Sequence, residues 1–269
     1  MGKSANALEH VRVGQVAPRE AYFQELALFR KANRLCYEHT RTGVPDPEPP
    51  LGQIRPVDVY AVVDAALSRI RSVKEIIGIP ETVEPQPRDA SKTPTDVFSS
   101  TMLANQQLNL LLDQQFAPSD VFEQVTLAVG LTSQLLARFP GATRIAPTPA
   151  YERGRRPADV YERLVRCFQR VRSIATVSQL DMGTLTRVHS DDPVTPSYVY
   201  NMATLVVSEL TFVHALIPDA SAPVGTYYPG RKLPSHVYQR VGILEAQLAE
   251  LEKHVREHPG WLAPQERAR

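Results

Sequence analysis

From Pro157 onward, apolar side chains fall at Val160, Tyr161, Leu164, Val165, Phe168, Val171 and Ile174, with polar residues between them. Steps of three and four residues place these positions on one face of an α-helix. The same rhythm follows Pro56, at Val59, Tyr60, Val63, Leu67, Ile70, Val73 and Ile77. It follows Pro234 at Val237, Tyr238, Val241, Leu244, Leu248, Leu251 and Val255. Each run predicts an amphipathic helix with one buried stripe. Stop signals close the runs: Gly78 with Pro80, Pro140-Gly141, Gly183, Pro218 and Pro259-Gly260. The helices are expected to be about 22 residues long, or roughly 33 Å at 1.5 Å per residue.

Every run opens on a related nonapeptide. "RPVDVYAVV", "TPTDVFSST", "APSDVFEQV", "RPADVYERL", "TPSYVYNMA" and "LPSHVYQRV" surround Pro56, Pro94, Pro118, Pro157, Pro196 and Pro234, and a looser copy, "APREAYFQE", surrounds Pro18. Successive prolines are 38, 38, 24, 39, 39 and 38 residues apart. An aromatic residue stands four positions after each proline, and this chain is only 7% aromatic, so the pattern is a true repeat. It reads as a helix start. Proline suits the first helical position, where its missing N–H would have no partner, and the residue before it is driven out of the α region to become the cap. Glu20, Asp58, Asp96, Asp120 and Asp159 lie two residues after their prolines. There a carboxylate complements the helix dipole and reaches free N–H groups.

The segments between helices are about 15 residues long and rich in proline and glycine. Helix hairpins usually need about 2–8 residues. An extended stretch of 15 residues spans more than about 40 Å at roughly 3.3 Å per residue, enough to run back along a helix and start the next one parallel to it. The exception is the 24-residue step from Pro94 to Pro118, which predicts an antiparallel hairpin or a bent continuous pair. The expected fold is therefore all-α: a helical-repeat bundle or solenoid of seven long helices with ordered Pro-rich linkers. A tail over 1–16, one helical domain over 17–259 and a tail over 260–269 complete the layout. The competing arrangement hides short helices in the linkers and stacks helix pairs as a tetratricopeptide solenoid does, although that consensus is absent.

Composition adds exclusions. Hydrophobic residues are 43% and charged residues 22%, with a net charge of +1, which fits a globular chain and gives no global field for nucleic acid or an anionic membrane. No stretch approaches the roughly 18 apolar residues of a membrane span. The opening "MGKSANALEH" lacks an apolar leader core. The polar start and Pro-rich linkers suggest an exported, envelope-associated protein whose leader has been removed; a cytoplasmic location is the alternative. Cys36 and Cys167 form neither a disulfide framework nor a metal-binding spacing, and a single bridge between them stays open.

Motifs for catalysis are missing. "MGKS" echoes the end of a phosphate loop without its strand–loop–helix context. His254 and His258 share a helix face beside Glu257, where a helix C-terminus favours such side chains without a metal. His189, Asp191 and Asp192 gather in a linker as a turn and cap. The Arg-rich stretch around Arg163, Arg166 and Arg170 reads as solvated surface or a patch for an acidic partner, with no exposed aromatic interleaving for a single strand. No catalytic, metal or cofactor residues are assigned, and the chain is expected to be non-enzymatic. Two functional expectations remain. One is a scaffold that docks a protein partner. The other is a carrier or sensor for an apolar molecule such as a lipid, held where the helix-start aromatics Tyr60, Phe98, Phe122, Tyr161, Tyr200 and Tyr238 line up in one layer around a cavity. Asn105, Thr126 and Thr204 are its candidate orienting groups or, alternatively, ordinary helix-to-helix hydrogen bonds.

Overall fold

The structure, a computed structural model, describes residues 11–48, 50, 53–84, 87, 89–112, 116–187, 193–217 and 230–262. It is all-α, with seven helices among the described residues: α1 (Pro18–Thr40), α2 (Pro56–Ile76), α3 (Pro94–Leu111), α4 (Pro118–Leu136), α5 (Pro157–Val177), α6 (Pro196–Ala215) and α7 (Pro234–Glu257). Each begins at its expected proline. The acid two residues later accepts a hydrogen bond from the amide ahead of that proline: Ala17 to Glu20 at 2.8 Å, Arg55 to Asp58 at 2.7 Å, and Thr93 to Asp96, Ala117 to Asp120 and Arg156 to Asp159 at 2.8 Å. In α7 the imidazole Nδ1 of His236 takes this role, accepting from the Leu233 amide at 3.0 Å.

Contacts divide the chain into two compact units, where the sequence suggests one domain over 17–259. Unit 1 holds residues 1–115 and 183–190; unit 2 holds 116–182 and 191–269. The α3–α4 connection, expected to make a hairpin or a bend, includes 113–115, outside the described residues.

In unit 2 the helices form a ring in the order α4, α7, α5, α6. They start at one end, because Pro118, Pro157, Pro196 and Pro234 line a single small space. They run in the same direction. Arg163 of α5 meets Glu245 of α7 at 2.6 Å, and Arg170 meets Glu252 at 2.9 Å further along both helices. At the far end, Phe139 lies beside His254 and Trp261, and the Trp261 indole N–H donates to Ser178 Oγ at 2.9 Å. Chain neighbours α4 and α5 are diagonal in this ring, so their linker must cross an intervening helix. It returns along α7. The Gln247 amide donates to the Arg144 carbonyl at 2.6 Å, Gln239 to the Pro149 carbonyl at 2.8 Å, and the Arg155 amide to Ser235 Oγ at 3.2 Å. Linker numbers rise as α7 numbers fall, which is the extended return that parallel helices require. Among the described residues the linkers hold no helix.

In unit 1, α1 is central and packs on both α2 and α3. The α1–α2 linker runs back along α1. Asn33 bonds both backbone groups of Val44, Arg30 pairs with Asp46 at 2.6 Å, and the Tyr22 hydroxyl donates to the Glu48 carbonyl at 3.2 Å. Tyr22 of α1 and Val59 of α2 share one core cluster, so the first turns of the two helices are neighbours; burial, with the Asp58 carboxylate adding to it, pushes the Tyr22 phenol above its ordinary pKa.

Two strands were not foreseen. β1 (Val11–Gly14) pairs antiparallel with β2 (Thr184–Arg187), so the presumed tail is partly structured, and part of the α5–α6 linker belongs to unit 1. Gly183 is not the end of α5. That helix closes at Gln179, which adopts φ 58°, with the Leu180 amide bonded to the Ala175 carbonyl at 2.9 Å. Gly183 instead sits at the start of β2, where its amide donates to Glu20 Oε1 at 3.3 Å.

The linker's seat on α7 depends on a glycine. A Cβ on Gly242 would stand 2.8 Å from both Pro149 Cγ and an Arg163 guanidinium nitrogen. Replacing Gly242 with Leu is expected to destabilise the protein by roughly 1–3 kcal/mol, as overpacking does. Thermal and urea denaturation check this; an unchanged midpoint contradicts the packing described.

Candidate functional site

In unit 2 the helix-start aromatics do not line the space on the ring axis. Successive helical residues are about 100° apart, so a valine three positions after proline and an aromatic four positions after it cannot both face the bundle axis. In unit 2 the axis is taken by the prolines and by Val121, Val160, Val199 and Val237, which enclose about 20 Å³, the room of a water molecule. The aromatics turn sideways. Tyr161 is buried. Tyr200 is buried and stacks on Phe116 at 3.8 Å. Phe122 faces the Lys232 ammonium at 4.8 Å, and Tyr238 lies under the guanidinium groups of Arg155 and Arg163 at 4.3 and 4.5 Å. In unit 1, Phe98 is buried, whereas Tyr60 is 69% exposed.

The polar residues in the apolar stripes make ordinary helix contacts. Asn105 donates to the Gln24 carbonyl of α1 at 3.3 Å, Thr126 accepts from Arg240 at 3.2 Å, and Thr204 bonds back to the Tyr200 carbonyl of its own helix at 3.0 Å. The arginines of α5 find their acidic partner inside the fold, in Glu245 and Glu252 of α7. Cys36 and Cys167 are both free and buried, and burial pushes the Cys167 thiol far up. His254 stacks on Phe139 and contacts Glu250, and no metal-holding cluster occurs among the described residues. His189, Asp191 and Asp192, like the "MGKS" opening, lie outside the described residues.

Two features of unit 1 went unread in the sequence. The first is a polar seam between α1 and α3. Gln24, Glu25, Lys31, Thr101 and Asn105 are all buried there. The Lys31 ammonium donates to the Asn105 carbonyl at 3.2 Å, and the Thr101 hydroxyl touches Glu25 Oε1. That hydroxyl also bonds the Val97 carbonyl at 2.8 Å, and it has one proton for two acceptors. A protonated Glu25 resolves the conflict by donating to the hydroxyl oxygen. Burial, countered only in part by the Thr101 hydrogen bond, pushes the Glu25 carboxyl up to about 7. Burial also drives Lys31 well below its ordinary value. Gln24 Oε1, Glu25 Oε2 and Asn105 Oδ1 have no hydrogen-bond partner among the described residues.

The second is the outer face of α2. Only Val59, Val62, Ala66 and Val73 of this helix are buried, all toward α1. Tyr60, Leu67 and Ile77, expected in the buried stripe, are exposed instead, as are Val57 and Ile76. For Tyr60 and Leu67 the physical reason is neighbour number: each helix of the ring packs against two others, whereas among the described residues α2 makes extensive contact with α1 alone; Ile77 lies past the end of the helix. Of these, Val57, Tyr60 and Leu67 share one helix face, and exposed large apolar side chains gathered in this way are the usual mark of an interaction surface.

No family model, curated protein or solved structure matches this chain in comparison with known proteins. None of the helices is long and apolar enough, among the described residues, to cross a membrane.

The seam predicts a pH dependence. Glu25 titrates near 7 when folded and near 4.5 when unfolded, so the folded state binds the extra proton between these values. Its contribution to stability is full below about 4.5, falls as pH rises through 7, and is constant above. Lys31 acts in the opposite sense: its depressed folded pKa makes stability rise toward the alkaline range. Glu25→Gln removes only the first effect. Relative to the parent, this variant should gain about 2–3 kcal/mol between pH 4.5 and 8. Urea midpoints across that range measure the difference, and a gap that does not vary with pH contradicts the assignment.

Proposed function

We propose that this protein is a non-enzymatic helical scaffold that docks a helical protein segment through the outer face of α2. The observation that carries the reading is the exposure of Val57, Tyr60 and Leu67 on the side of α2 opposite its α1-facing residues. A helix can lay its own apolar stripe on such a surface, with anchors spaced by three and four residues. Within its own unit α2 is seated on α1, and the α1–α2 linker is pinned to α1 by Asn33, Arg30 and Tyr22. The alternative role as a carrier of an apolar molecule has less support, because the space between the helix starts of unit 2 is about 20 Å³.

The test is a photoreactive benzophenone amino acid in place of Tyr60, with the same group at exposed Gln169 of α5 as control. Irradiation in cell extract is expected to give a discrete adduct from position 60 and none from position 169. Leu67→Glu should remove that adduct while leaving helical content unchanged. No adduct from position 60 would refute docking at this face.

A further inference from the structure

The open face of α2 carries charges as well as apolar groups, and their order along the helix is informative. At about 100° per residue, Val57, Tyr60, Asp64, Leu67, Arg71 and Glu75 fall in one stripe, opposite the α1-facing Val59, Val62, Ala66 and Val73. The side chains of Asp64, Arg71 and Glu75 make no ion pair or hydrogen bond among the described residues. The stripe is self-complementary about its midpoint between Leu67 and Ser68. Laid antiparallel on a second copy of itself, it brings Asp64 opposite Arg71 and Arg71 opposite Asp64. Tyr60, whose phenol can donate a proton, comes opposite the Glu75 carboxylate. Val57 comes opposite the C-terminal end of the second α2, near the exposed Ile79. The two Leu67 side chains meet at the centre, with the small Ser68 leaving room for close approach. A parallel pairing would oppose Asp64 to Asp64 and Arg71 to Arg71, which is repulsive.

We infer that the occupant of this face is a second copy of the chain, bound through an antiparallel α2–α2 pair about a two-fold axis. The inference rests on the reading of α2 as a docking face and names its partner. An isologous contact of this kind closes on itself and leaves no sticky surface for further growth. The charges fix orientation and register, and the apolar groups supply the area. One helix pair is a small interface, so the dimer is expected to dissociate on dilution.

The test is sedimentation velocity on the purified full chain over a concentration series, with helical content by circular dichroism as a folding control. A reversible monomer–dimer equilibrium is expected. Asp64→Arg and Arg71→Asp should each weaken dimerisation about tenfold or more, because each places like charges face to face twice. The double variant Asp64→Arg/Arg71→Asp restores opposite charges and should recover most of the parental affinity. Leu67→Glu should abolish the dimer. A parent that stays monomeric at every concentration overturns the inference, and so does a double reversal no better than either single one. If the purified chain is monomeric but the benzophenone at position 60 captures a different polypeptide, self-pairing fails and docking stands. If that probe captures nothing, both fail.

Discussion

The structure depends on helices that pack side by side while starting at the same end. Antiparallel helices can be joined by a tight turn, but parallel ones cannot, because the chain must travel the full length of a helix before the next begins. That need calls for long linkers and for side chains along the helices that hold them. In unit 2 the α4–α5 linker is pinned to α7 by Gln239, Gln247 and Ser235. In unit 1 the α1–α2 linker is pinned to α1 by Asn33, Arg30 and Tyr22. Proline keeps the returning chain extended and removes amide donors that would otherwise need partners there.

Parallel packing also aligns the helix dipoles, which repel one another at the shared ends. The repeated acid answers this at the start of five helices, where its carboxylate accepts the free amide ahead of proline. At the opposite end of unit 2, His254, His258 and Arg138 gather around Phe139 and Trp261, where cationic and donor groups suit exposed carbonyls. The ring is held laterally by Arg163, Arg166 and Arg170 of α5 against Glu245 and Glu252 of α7. Arginine density that suggests a binding patch in the linear chain is thus largely spent within the fold.

All seven helix starts were legible in the sequence, because the proline and the aromatic recur in every copy, with the valine in six and the acid in five, and each acts locally. The linkers' return path followed from their length alone. The aromatics were harder to place. Periodicity says that valine and aromatic lie near the same face but not which of the two meets the axis, and the ring chose proline and valine. The stripe of α2 misled for a related reason. Val59, Tyr60, Val63 and Leu67 have one spacing, yet only a count of neighbouring helices shows that Tyr60 and Leu67 face outward. The seam around Glu25 and Lys31 was invisible because charges on an amphipathic helix are ordinarily solvated. The strands β1 and β2, four residues each, are too short to declare a period.

The shared direction of the helices is tested most directly by distances between spin labels on α5 and α7. Ala158 and Thr176 mark the two ends of α5, and Leu233 and Lys253 mark those of α7; all four positions are exposed. Parallel packing predicts short distances for the pairs 158–233 and 176–253, and a distance longer by roughly 20 Å or more for the pair 158–253, as about 20 residues of helix require. Short distances for 158–253 together with long ones for the like-end pairs would mean antiparallel helices, and would remove the basis for the returning linkers and the proline–valine ring alike.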